Sequence, residues 1–114
     1  MNDNDDEQIR DKYAKLVQAF AASLPDRLQR IRQHWQSLQA DWQQPGMHAE
    51  LQREVHSLAG AGATFGYDMI SSHARELEEL LAGLERDQAP SVERTQQVVQ
   101  MLDRLAHAAA NQQS

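Results

Sequence analysis

Apolar positions recur at three- and four-residue intervals along most of this chain, the spacing that stacks side chains on one face of a helix. Ile9, Tyr13, Leu16, Val17 and Phe20 form the first stripe, which predicts a helix running to Ala22. Ser23-Leu24-Pro25-Asp26 then reads as a fresh start: the serine offers a capping hydroxyl, and proline is well tolerated in a first turn, where an N–H has no helical partner anyway. The stripe that follows is the longest, Leu24, Leu28, Ile31, Trp35, Leu38 and Trp42, and Pro45-Gly46 breaks it. Leu51, Val55, Leu58 and Gly62 mark a helix from about Met47 to Ala63, with Thr64-Phe65-Gly66 as the bend after it. Met69, Ile70, Leu77, Leu80, Leu81 and Leu84 stripe a fourth helix that ends before Pro90. Pro90-Ser91 opens a last one carrying Val92, Val98, Val99, Leu102, Leu105 and Ala109. Connections of only a few residues make neighbouring long helices antiparallel. The predicted fold is all-α: an antiparallel four-helix bundle with an additional short N-terminal helix packed across one end.

Composition agrees with that pattern and narrows the function. At 114 residues the chain suits one domain with a single core, here 1–114, with 1–6 and 110–114 expected to be flexible ends. Aromatics make up 5% and prolines number three, while helix formers dominate. There is no cysteine, so disulfides and thiolate metal sites are excluded, which is compatible with a reducing compartment. No apolar run approaches the roughly 18 residues of a membrane helix, and the start lacks the layout of a signal peptide. The expectation is a monomer in the cytoplasm that does not engage membranes. A net charge of −6 argues against nucleic acid as partner.

The unusual residues concentrate between Glu54 and Gly66. His56 lies on the third helix about 120° from the middle of its apolar stripe, so it should face water. Ala59 follows at i+3, Gly60 at i+4 and Ala63 at i+7, which leaves almost no side chain around the ring. Glycine within a helix costs about 1 kcal/mol relative to alanine, and a bare surface through which another protein reaches the imidazole would offset that cost.

Other candidates read more plainly. His73 falls within its helix's apolar stripe and is expected to be a satisfied core histidine; His34, His48 and His107 are expected to be solvated. No two of the five histidines stand at i+3 or i+4, so no metal site is expected. Gly60, Gly62 and Gly66 follow no strand, which rules out a nucleotide-binding glycine loop. Glu76, Glu78, Glu79 and Glu85 read as a solvated acidic face.

His56-Ser-Leu58-Ala-Gly60, then Phe65-Gly66, then Ala74-Arg75-Glu-Leu77-Glu78, resembles the histidine-containing phosphotransfer (HPt) domain. The family pattern is His-x-hydrophobic-Lys-Gly, a hydrophobic-Gly pair closing the helix, and a following Arg-x-Leu-Glu. The motif covers roughly 23 residues, and the helical layout extends the similarity over nearly the whole chain. Ala59 departs from it, standing where the family usually has lysine.

The resemblance implies that Nε2 of His56 accepts a phosphoryl group from a receiver-domain aspartyl phosphate and passes it to another receiver aspartate. It implies a response-regulator receiver or a hybrid sensor kinase as partner, meeting the chain around Gln52, Arg53, Ala59, Gly60 and Ala63. Phe65 would plug the core. The chain would be a carrier and not an enzyme, without a cofactor of its own, and the stabilising Mg²⁺ would sit in the receiver's acidic pocket. With no lysine at position 59, Arg53 is the nearest cation in sequence on a neighbouring face. The alternative is an HPt-like docking module that binds receivers or kinases without carrying phosphate.

Overall fold

The structure is a computed structural model that describes residues 3–112. Among these residues all regular structure is helical, in four helices: α1 (Asp3–Ala40), α2 (Met47–Thr64), α3 (Asp68–Ala82) and α4 (Val92–Gln112). Each packs against two others, α1 and α3 both lying on α2 and on α4. Residues 3–6 and 110–112, expected to belong to flexible ends, are helical; the rest of those expected ends, 1–2 and 113–114, lies outside the described residues.

The expected separate N-terminal helix is not present. The chain continues as one helix through Pro25, so the two predicted segments are a single rod of 38 residues. Packing explains why proline does not break it. Phe20 and Leu24 before it and Ile31 after it are all buried in the core, so both sides of Pro25 are held on one axis. The Ser23 hydroxyl does not cap a new helix; it donates back to the Phe20 carbonyl at 2.7 Å. At 1.5 Å per residue α1 spans about 57 Å, roughly twice the length of α2. Its N-terminal end therefore projects beyond the bundle, and Ile9, Tyr13 and Leu16 of the predicted stripe remain exposed, with the Tyr13 hydroxyl reaching the Thr64 carbonyl at 3.2 Å.

The core joins Leu24, Ile31, Trp35 and Leu38 of α1 with Leu51, Val55 and Leu58 of α2, Ile70, Ala74, Leu77 and Leu81 of α3, and Val98, Met101, Leu102 and Leu105 of α4. Val92 and Val99, assigned to the last stripe, face outward, while Met101 and Ala108 take places inside. Trp42 lies in the loop after α1. Its indole N–H donates to the Glu85 carbonyl at 2.8 Å, and the Gln43 amide donates to the Asp87 carbonyl at 3.1 Å, stitching the α1–α2 loop to the α3–α4 loop. Ser91 caps α4 by accepting the Arg94 N–H at 3.1 Å.

The end of α2 is set by Gly66, whose φ of 81° lies in the left-handed region. Tyr67 N–H reaches the Gly62 carbonyl at 2.8 Å and Gly66 N–H the Ala63 carbonyl at 3.4 Å, a Schellman closure that turns the chain directly into α3. Phe65 sits at this corner, with its ring centroid 5.4 Å from Phe20 and 6.3 Å from Tyr13. It is half-buried under α1 rather than enclosed in the core.

Candidate functional site

His56 is the tenth residue of α2 and its side chain is 77% exposed. Its Nδ1 lies 2.6 Å from Oε2 of Glu78 on α3. An ionised carboxylate only accepts hydrogen bonds, so the ring nitrogen facing it carries the proton. In the neutral imidazole this assigns the lone pair to Nε2, on the edge of the ring turned away from α3. Glu78 thus does more than belong to a solvated acidic face: it is half-buried between the helices and fixes the tautomer and orientation of His56. Helical periodicity gives no sign of this pair, because the two residues are 22 apart on different helices; only the Arg75-Glu-Leu77-Glu78 motif singled the position out.

The glycines of α2 are there for two different reasons. A Cβ on Gly60 would meet nothing within 4 Å, and Gly60 and Ala63 are both exposed. A Cβ on Gly62 would lie 3.1 Å from the Ser71 backbone nitrogen and 3.3 Å from the Tyr67 carbonyl oxygen, so this glycine lets α2 and α3 approach. Gly62 is explained by packing. Nothing inside the molecule explains the bareness at Gly60.

Ala59 is not on the surface around His56. It is 3% exposed, buried against α3, and its carbonyl accepts the Ser71 hydroxyl at 2.9 Å. Its small side chain spaces α2 from α3, and it offers no contact surface to a partner. Gln52 is half-buried and Arg53 exposed. Arg53 does not reach forward to His56; its guanidinium turns back one turn to pair with Glu50.

Another cation stands near, and the sequence did not point to it. Arg27 on α1 extends towards α2, with Nη1 3.5 Å from the hydroxyl of Ser57, the residue after His56. Its Nε donates to Ser23 at 3.1 Å and its guanidinium carbon lies 5.6 Å from the centre of the Phe20 ring.

Of the remaining histidines, His73, His48 and His34 differ from their expected roles, while His107 is exposed as expected. His73 is half-buried, and its buried Nδ1 has no hydrogen-bond partner, so it is not a satisfied core histidine. His48 is held in place, its Nε2 2.8 Å from the Trp42 carbonyl and its ring edge-on to Trp42. His34 has a buried, unpartnered Nδ1, while His107 is exposed with Nε2 2.9 Å from the Asn111 amide nitrogen. Among the described residues no group of three or more histidine and acidic side chains is placed to hold a metal ion, and no helix is long and apolar enough to cross a membrane.

A helical bundle that displays one exposed imidazole in mid-helix, with its inner nitrogen fixed by a carboxylate from the next helix, has the form of a phosphoryl-carrier module. The chain belongs to the HPt family: the family model described as Hpt domain matches residues 15–108. No match was found among curated proteins or among solved structures. Membership places the chain in histidine phosphotransfer within two-component phosphorelays, where such domains act as carriers rather than enzymes.

Proposed function

We propose that His56 is the phosphoryl-accepting residue, charged through Nε2 by a receiver-domain aspartyl phosphate and discharged to another receiver aspartate. The observation that carries this reading is the 2.6 Å contact between Nδ1 and Glu78 on a ring that is otherwise exposed. In the forward step the Nε2 lone pair attacks phosphorus, the P–Nε2 bond forms and the acyl P–O bond breaks. The receiver carboxylate leaves with the bonding pair. The ring becomes positively charged while Nδ1 keeps its proton, and the Glu78 carboxylate stabilises that charge where it develops. The reverse step regenerates a neutral ring already in the correct tautomer.

Transfer of this kind depends on positioning and charge stabilisation, and the Mg²⁺ it requires belongs to the receiver's acidic pocket. The exposed surface at Gly60 and Ala63, bordered by Gln52 and Arg53, is the face offered to the receiver, whether free-standing or part of a hybrid sensor kinase. The carrier acts as a monomer in the cytoplasm. The test is incubation with a panel of phosphorylated receiver domains. Wild type should acquire acid-labile, base-stable phosphate, and His56→Gln should fold normally and acquire none. Stable phosphate on His56→Gln, or no label from any receiver, would overturn the assignment; binding without label would identify a docking module instead.

A further inference from the structure

We infer that Arg27 supplies the positive charge that holds the phosphoryl oxygens on His56, from α1 and across the Gly60 gap, in place of a cation on α2 itself. The inference rests on the carrier reading of His56 and adds a phosphoryl-binding residue to it.

The α2 cations and small residues that might serve are accounted for otherwise. Position 59 carries no charge and is buried, and Arg53 is engaged with Glu50. Arg75 on α3 has its Nε 3.4 Å from Ser71, on the same side of α2 as Glu78 and so on the Nδ1 side of the ring. The lone-pair edge of His56 faces away from α3. On the surface of α2, Gly60 lies about 40° from His56 and about 60° from Ser57 on the other side, so it separates the ring from the α1 flank. With no side chain there, the gap is open.

Arg27 stands at the far edge of that gap, and its contacts suit it to an anion. The neutral hydroxyls of Ser23 and Ser57 and the face of Phe20 hold the guanidinium in place. No carboxylate lies within ion-pair distance of it among the described residues. A half-buried guanidinium oriented by neutral groups keeps unused N–H donors and an uncompensated charge, and the planar fork of arginine fits phosphoryl oxygens. By contrast Arg30, one turn further along α1, is already turned to Glu54 at 3.7 Å.

The test charges His56 in the intact protein with phosphoramidate, whose P–N bond breaks with release of ammonia as the P–Nε2 bond forms, and in parallel with a phosphorylated receiver domain. Two variants separate charge from packing. Arg27→Gln keeps part of the stem over Phe20 and, at the place of Nε, a donor for Ser23, but loses the charge; Arg27→Lys keeps the charge.

One readout is the ³¹P resonance of the phosphohistidine, which should titrate at lower pH in wild type than in Arg27→Gln, with Arg27→Lys restoring the lower midpoint. The other is the equilibrium ratio of phosphohistidine to receiver phosphoaspartate, which should fall roughly fivefold in Arg27→Gln, the size of effect typical of one charge pair at a partly exposed site. An unchanged midpoint and ratio in Arg27→Gln, or a change that Arg27→Lys does not reverse, would overturn the role of Arg27 while leaving His56 as carrier. Failure of wild type to take label from either donor would overturn both.

Discussion

Two glycines of α2, only two positions apart, illustrate how differently the same residue type can serve. A Cβ added to Gly60 would have nothing within 4 Å of it, whereas one added to Gly62 would meet the backbone of Ser71 and Tyr67. Gly60→Ala should therefore raise the stability of the isolated domain by up to about 1 kcal/mol, through lower entropy of the unfolded chain. Gly62→Ala should lower it by about 1–3 kcal/mol, because the contacts at 3.1 and 3.3 Å are with backbone atoms that yield only if the helices part. Urea melts of both variants check the pair; equal shifts would mean that the two sites are not distinct. The helical wheel puts Gly62 on the apolar stripe and Gly60 beside His56, but it does not encode how closely α3 approaches α2. That approach is also what hides Ala59, placed beside His56 by its spacing and found beneath α3. The exposure of His56 was legible because a polar residue about 120° from an apolar stripe lies mostly in solvent.

At the scale of helices, the bundle was legible wherever an apolar stripe was bounded by a turn signal, as between Pro45-Gly46 and Gly66. It was misread at Pro25, where the local rule for proline competes with packing. Buried Phe20, Leu24 and Ile31 bracket the proline and hold both sides of it on one axis. A continuous helix makes a definite demand. Proline in a helix interior costs about 3 kcal/mol relative to alanine, so Pro25→Ala should stabilise the domain by about 1–3 kcal/mol and raise its melting temperature. If Pro25 were instead the first residue of a new helix, the substitution would be neutral or destabilising. Periodicity also overstated burial in the first half of α1. The stripe of Ile9, Tyr13 and Leu16 is real, but α2 ends at Thr64, whose carbonyl the Tyr13 hydroxyl just reaches at 3.2 Å, so the three stay largely exposed; the lengths of the partner helices are not written in the stripe itself.

In the whole molecule, His56 is carried by a helix flanked on one side by α1 and on the other by α3, with the two loops at one end of the bundle tied together through Trp42 and Gln43. A side chain on such a rigid element needs no moving part to present its outer nitrogen. The motif around His56 points to the family without any geometry, but the pairing with Glu78, and with it the choice of nitrogen, becomes visible only when α2 and α3 are placed side by side. The central claim is that this pairing commits Nε2, and not Nδ1, to chemistry. The most direct measurement is the phosphorus coupling to the imidazole ring protons and nitrogens in the receiver-charged protein. The account predicts phosphorus bonded to Nε2 of His56 with Nδ1 still protonated; phosphorus on Nδ1, or on any other histidine, would contradict it.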